Sequence, residues 1–227
     1  MEAKTMNGKM SVTTDNMKII KESFDKKDIA DLPRVAFGGR IILVLSEREA
    51  DRAVDYLLRQ RVLGIDTETR PSFRRGVLHK VALLQVSTSD TCFLFRLNRT
   101  GMTDSIVRLL EDRSVTKVGL SLKDDMHSLH QRRAFTPGAF IDLQEEVKKI
   151  GVSDMSLQKL YANFFGQKIS KGQQLTNWEA DVLTSAQQVY AATDAWACIQ
   201  LYEEINRLLN SGDYRVLRTV ADKPSQG

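Results

Sequence analysis

Cysteine is scarce in this chain: Cys92 and Cys198 are the only two in 227 residues, and they form no CxxC pattern. Both sit among apolar neighbours, so buried thiols are expected rather than a disulfide or a zinc site. Met1 to Asn16 lacks an apolar core after its lysines and is not read as a secretory signal, which points to a reducing, cytoplasmic setting. Histidine is nearly as rare, and His79, His127 and His130 have no metal-ligand spacing with the cysteines. No stretch approaches the ~18 uncharged apolar residues of a membrane-spanning helix, so no membrane partner is expected. No GxGxxG follows a strand, and no repeat of ~20–50 residues is visible, which removes a dinucleotide fold and a solenoid. The βα units are too few for a TIM barrel.

What is present is an ordinary globular balance, with 42% apolar and 27% charged residues. A net charge of +4 permits a polyanionic partner without requiring one. Residues 1–34 are polar with weak periodicity and read as a partly ordered N-terminal extension, a tail or strap, with a short docking helix through Ile19, Ile20, Phe24 and Ile29 as the alternative. Ile41 to Leu45 reads as a strand. Ser46 with Glu49 forms a capping box, opening a helix that carries Ala50, Val54, Leu57 and Leu58 to about Gln60. Val81 to Ser87 and Cys92 to Leu97 suit a hairpin turning at Thr88-Ser89-Asp90. Beyond it, a short helix holds Ile106, Leu109 and Leu110, and Thr116 to Leu120 is a strand. A helix begins at Lys123, and Ala139 to Leu143 is a strand leading into a helix that ends near Ile150. Ser156 to Phe165 is a helix capped by Gly166. Thr184 with Gln187 caps a long helix to about Leu209, and residues 213–227 read as a frayed tail. This order suits an α/β layered domain with a mixed sheet flanked by helices.

The stretch Val62 to Thr69 reads as an apolar strand that ends in two carboxylates, Asp66 and Glu68. Residues i and i+2 of a strand share a side, so these acids converge. A buried carboxylate pair needs a proton or a cation. Asp124-Asp125 opens a helix, where the dipole alone favours acids. Asp194 is harder to explain, because it lies in an alanine-rich helix with Ala191, Ala192, Ala195 and Ala197 that should pack closely on the sheet. Tyr190 precedes it by one helical turn and shares its face. Convergence of all three clusters would assemble four carboxylates. That donor set suits two hard divalent ions, Mg²⁺ or Mn²⁺, and phosphodiester hydrolysis.

Gly64-Ile65-Asp66-Thr67-Glu68, Lys117-Val118-Gly119 through Asp125, and Tyr190-Ala-Ala-Thr-Asp194 together resemble the three exonuclease motifs of the DEDD superfamily. The Tyr-x-x-x-Asp form resembles its tyrosine subclass, and within it ribonuclease D and the Werner syndrome exonuclease domain. The resemblance covers residues from about 40 to about 210, within a catalytic domain placed at 35–212. It implies a ribonuclease H-like three-layer fold and 3′–5′ release of nucleoside monophosphates. It also implies that Asp66 bridges two metal ions, that Glu68 and Asp194 complete the tighter site, and that Asp125 holds the second ion. Asp125 is chosen over Asp124 because the family's second acid falls six residues after the glycine matched by Gly119. Leu120-Ser121 departs from the His-Asn that many relatives carry there.

Around these acids, Tyr190 would orient the attacking water or help remove its proton. Thr67 would offer its backbone to the terminal 3′-hydroxyl while its side chain faces away from the metals. Phe73 and Arg74 would meet a terminal base and a phosphate, and Lys171 a phosphate. Trp178 is read as packing, Gln85 as a hydrogen-bonded core residue and His127 as a solvated helix position. The expected partner is a nucleic acid with a single-stranded 3′ end or overhang, DNA or RNA. The rival readings are a nuclease-like module that grips nucleic acid without cutting it, and a nucleotide phosphatase using the same metal core.

Overall fold

The computed structural model describes residues 17–218; the reading of Met1 to Asn16 lies outside them. In chain order the elements are β1 (Lys18–Lys21), a 3₁₀ turn (Lys26–Ile29), β2 (Arg34–Val35), β3 (Arg40–Val44), α1 (Glu47–Leu57), β4 (Val62–Glu68), β5 (Leu83–Ser87) and β6 (Thr91–Arg96). Then follow α2 (Leu97–Thr100), α3 (Asp104–Glu111), β7 (Thr116–Gly119), α4 (Leu122–His130), β8 (Phe140–Asp142), α5 (Leu143–Lys149), α6 (Leu157–Phe165), β9 (Lys168–Ile169), α7 (Ser185–Ser211) and β10 (Tyr214–Leu217).

The centre is a six-stranded sheet in the order β3-β6-β5-β4-β7-β8. β5 alone runs antiparallel to its neighbours, as the hairpin reading requires, and the other strands run parallel to one another. The carboxyl ends of β4, β7 and β8 therefore lie together. In open α/β sheets that is the edge where ligands are met.

Helices cover both faces, giving three layers. On one face Leu63 and Ile65 of β4 join Val54 and Leu57 of α1, Ile106 and Leu109 of α3, and Leu122 and Leu129 of α4 in a common core. On the other face α7 lies across the sheet with α5 and α6 beside it, burying Val147, Leu160, Leu201 and Ile205. The capping boxes at Ser46 and Thr184 are both formed, which fixes where α1 and α7 begin.

Two expectations are corrected. Ile19 and Ile20 lie in β1, not in the docking helix held as an alternative, and among the described residues of the extension the helical turn is Lys26–Ile29. Tyr214–Leu217, read as frayed tail, is a strand parallel to β1. The pairing is stabilised from α6: the Asn163 side chain accepts from the Lys21 amide at 2.9 Å and donates to its carbonyl at 2.7 Å. Ile20 is fully buried beside it. Two strands some two hundred residues apart have no local signal for each other, which is why periodicity missed them.

Candidate active site

β4 delivers its side chains to two different faces. Gly64, Asp66 and Glu68 point toward α7, while Leu63, Ile65 and Thr67 point toward α4. The turn of α7 opposite them is alanine-rich, and Ala191, Ala192, Ala195 and Ala197 are all buried. A Cβ at Gly64 would lie 1.8 Å from the Ala195 carbonyl oxygen, so helix and strand approach as closely as backbone allows. That approach carries Asp194 to the acids of β4. Ligand oxygens of Asp66, Glu68 and Asp194 lie within 4.8 Å of one another.

Asp125 stands apart from this trio. It projects from the first turn of α4 and its carboxylate accepts a hydrogen bond from the Thr67 hydroxyl. The Thr67 side chain, expected to face away from the metals, points away from Asp66 and Glu68 on its own strand but donates to Asp125, the acid expected to hold the second ion. The left-handed backbone of Ser121 (φ 61°) turns the chain from β7 into α4, and Asp142 accepts from the Ser121 and Leu122 amides at 3.1 and 2.9 Å. The start of α4, and with it Asp125, is thereby pinned to the end of β8.

The electrostatics are those of unneutralised acids. Burial, reinforced by the charges of Asp194, Asp125 and Glu68, holds Asp66 well above the usual carboxylate range. Burial and the charges of Asp194 and Asp125 push Glu68 up to about 9. Burial raises Asp194, opposed by the neighbouring Tyr190 hydroxyl. Burial also raises Asp125, where the Thr67 hydroxyl works the other way. Tyr190 is itself driven upward, by burial and then by the charges of Asp194 and Glu68. None of the ion pairs among the described residues involves any of these four acids. An all-oxygen donor set without a cationic side chain fits hard divalent ions such as Mg²⁺ or Mn²⁺.

The acids open into a cleft of about 310 Å³ lined by Asp66, Thr67, Glu68, Lys171, Tyr190 and Asp194. Ser156, Gln158 and Gln174 share its wall and were not singled out from the sequence, where isolated polar residues in loops and helix starts carry no distinguishing pattern. Phe73 and Arg74 are not among the lining residues, and Phe73 is 84% exposed on the loop after β4. That loop is tied to the segment before α7 by Glu179, which accepts from Arg70 at 3.3 Å and pairs with His79 at 3.1 Å. Trp178 is fully buried, as a packing residue should be. Gln85 is corrected: it is fully buried, yet neither its amide nitrogen nor its oxygen has a partner among the described residues.

Residues 41–210 match a protein family described as 3′-5′ exonuclease. A 3′-5′ exonuclease of Arabidopsis thaliana is 31% identical over 194 residues, covering 78% of this chain and 67% of the relative. The mouse bifunctional 3′-5′ exonuclease/ATP-dependent helicase WRN is 28% identical over 153 residues, which is 65% of this chain and 11% of that much longer protein. This chain therefore corresponds to a small part of some relatives, and their further activities do not transfer with it. Among solved structures, the Nibbler EXO domain of Aedes aegypti superposes with a TM-score of 0.70 at 20% identity, over 77% of this chain and 91% of that one, a likeness of fold. With the acids at the carboxyl edge of a three-layer ribonuclease H-like sheet and a family match that spans most of the sequence, the chain belongs to the 3′-5′ exonuclease family of the DEDD superfamily.

Proposed function

We propose that this protein is a divalent-metal-dependent exonuclease that shortens nucleic acids from the 3′ end and releases nucleoside monophosphates. The observation that carries the reading is the trio Asp66, Glu68 and Asp194, whose oxygens converge within 4.8 Å with no ion pair to a cationic side chain among the described residues. Asp125, held by the Thr67 hydroxyl, supplies the fourth carboxylate, for a second ion. Two such ions would activate a water and stabilise the leaving oxygen of a phosphodiester.

The protein's own groups divide the remaining work. Tyr190 stands one helical turn before Asp194 and lines the cleft, where its hydroxyl would orient the attacking water or help remove its proton. The Tyr-x-x-x-Asp spacing in α7 supports assignment to the tyrosine subclass. Lys171 lines the cleft as a phosphate contact, and the Thr67 backbone is offered to the terminal 3′-hydroxyl. Exposed Phe73 and Arg74 suit a strand arriving across the loop after β4. A cleft of about 310 Å³ admits about one nucleotide, which favours single-stranded ends or overhangs, of DNA or RNA. We place the catalytic unit at residues 35–212, flanked by the extension and tail whose described parts pair as β1 and β10. The free, buried thiols of Cys92 and Cys198 accord with a cytoplasmic setting.

The test is digestion of 5′-labelled single- and double-stranded DNA and RNA with Mg²⁺, Mn²⁺ or a chelator. The expected result is a metal-dependent ladder that shortens from the 3′ end. Tight binding of the same oligonucleotides without cleavage in either metal would instead establish the silent binding module.

A further inference from the structure

Gln85 is a buried polar side chain that the proposed function does not use, and among the described residues both polar atoms of its amide lack a partner. It lies in the middle of β5 directly across from Asp66 in the antiparallel register, and across from Leu94 on its other side. Directly opposed residues share a face, with Cβ atoms about 4.5–5.5 Å apart. The rows Glu68–Leu83–Arg96, Asp66–Gln85–Leu94 and Gly64–Ser87–Cys92 therefore all lie under α7. The lid over this surface is apolar: Ala191 and Ala192 of α7 pack with Leu83, Leu94 and Trp178 in one buried cluster.

Within that cluster Gln85 is wholly buried, and both ends of its amide lack a partner among the described residues. An orphaned buried amide costs about 1–3 kcal/mol, so a methionine or leucine would serve packing better. Arg96, the polar neighbour on the same face, gives one guanidinium nitrogen to the Ala180 carbonyl, and its Nε makes no hydrogen bond to Gln85 or to any other described residue. Gln85 is also out of reach of solvent and cannot touch substrate.

We propose that Gln85 is a positioning residue for Asp66, its amide N–H donating to the Asp66 carboxylate across the β4–β5 pair when that carboxylate serves as a metal ligand. This rests on the metal-dependent reading of the acidic trio. A carboxylate that bridges ions needs its remaining lone pairs satisfied and its plane fixed, and partners of this kind influence metal affinity strongly. The amide nitrogen then has a partner in the loaded protein that it lacks in the metal-free one, at a cost in stability kept for function.

The test is Gln85→Met, with Gln85→Leu as a second apolar variant, titrated with Mn²⁺ alone by calorimetry and melted in chelator and in Mn²⁺. The expected result is a Tm in chelator at or above that of the wild type, together with Mn²⁺ binding weakened by about 10-fold or more. Oligonucleotide binding in chelator should be unchanged, because Gln85 does not reach the cleft. Unchanged Mn²⁺ affinity in either folded variant would overturn the inference and leave the metal reading standing. Weaker Mn²⁺ binding accompanied by a lower Tm in chelator would also overturn it, by showing a packing role. Failure of the wild type itself to bind Mn²⁺ would overturn the metal reading, and this inference with it.

Discussion

Gly64 of β4 and Ala195 of α7 meet backbone to backbone: a Cβ on the glycine would sit 1.8 Å from the alanine carbonyl oxygen and 2.8 Å from its carbon. Because the obstacle is backbone, no side chain can give way. Gly64→Ala must push α7 off the sheet, at about 3 kcal/mol or more. The Tm should fall by roughly 6–12 °C. Asp194 adjoins Ala195 on the same helix, so metal affinity should fall as well, even at temperatures where the variant is folded. Calorimetric melting with a Mn²⁺ titration checks both effects.

Asp66 is the acid most burdened by its neighbours, through burial and the charges of Asp194, Asp125 and Glu68. Asp66→Ala should abolish nuclease activity, a loss of at least about 10³-fold, since an interaction with the developing charge is removed. The fold should persist, and the Tm in chelator should equal or exceed the wild-type value because repulsion is relieved. Full activity in purified Asp66→Ala would sink the assignment.

Tyr190→Phe removes only the hydroxyl beside Asp194. Turnover should drop by about 10²-fold, while oligonucleotide affinity changes little. Steady-state kinetics beside equilibrium binding separates the two; unchanged turnover would take Tyr190 out of the mechanism.

The metal-free protein should lose stability as pH rises. Glu68 titrates near 4.5 when unfolded and is pushed up to about 9 when folded, so the folded state binds more protons throughout that window. The free energy of unfolding therefore declines from about pH 4.5 to about pH 9 in chelator. Mn²⁺ should flatten this decline by taking the place of the proton. Chemical denaturation across the pH range, with and without Mn²⁺, reads the slope directly.

Glu179 ties the loop after β4 to the segment preceding α7 through Arg70 and His79. These pairs are partly exposed, so Glu179→Ala should shift stability by no more than about 1 kcal/mol. The loosened loop carries Phe73 and Arg74, so KM for oligonucleotides should rise by roughly 2–5-fold, with kcat less affected. Equal losses in kcat and kcat/KM would place Glu179 in the chemistry instead.

Local rules made much of this molecule legible. The alternation in Val62 to Glu68 put Asp66 and Glu68 on one side, the capping pairs Ser46/Glu49 and Thr184/Gln187 marked two helix starts, and the alanine turn around Asp194 announced close packing. Each is a signal within a few residues of chain, where spacing translates directly into geometry. The pairing of β1 with β10 and the placement of Phe73 outside the cleft wall had no such signal, because both depend on elements far away in the chain.

The sequence by itself determined the chemistry available: which acids exist, that each sits at an element's end or on a packed helix, and that their order is that of a 3′–5′ exonuclease. Only the tertiary structure decided how they meet. It brought the oxygens of Asp66, Glu68 and Asp194 together, joined Asp125 to the Thr67 hydroxyl beside them, and placed Gln85, without a partner among the described residues, across from Asp66. The physical reason is that a strand's alternation names two faces, and only packing chooses which helix covers each.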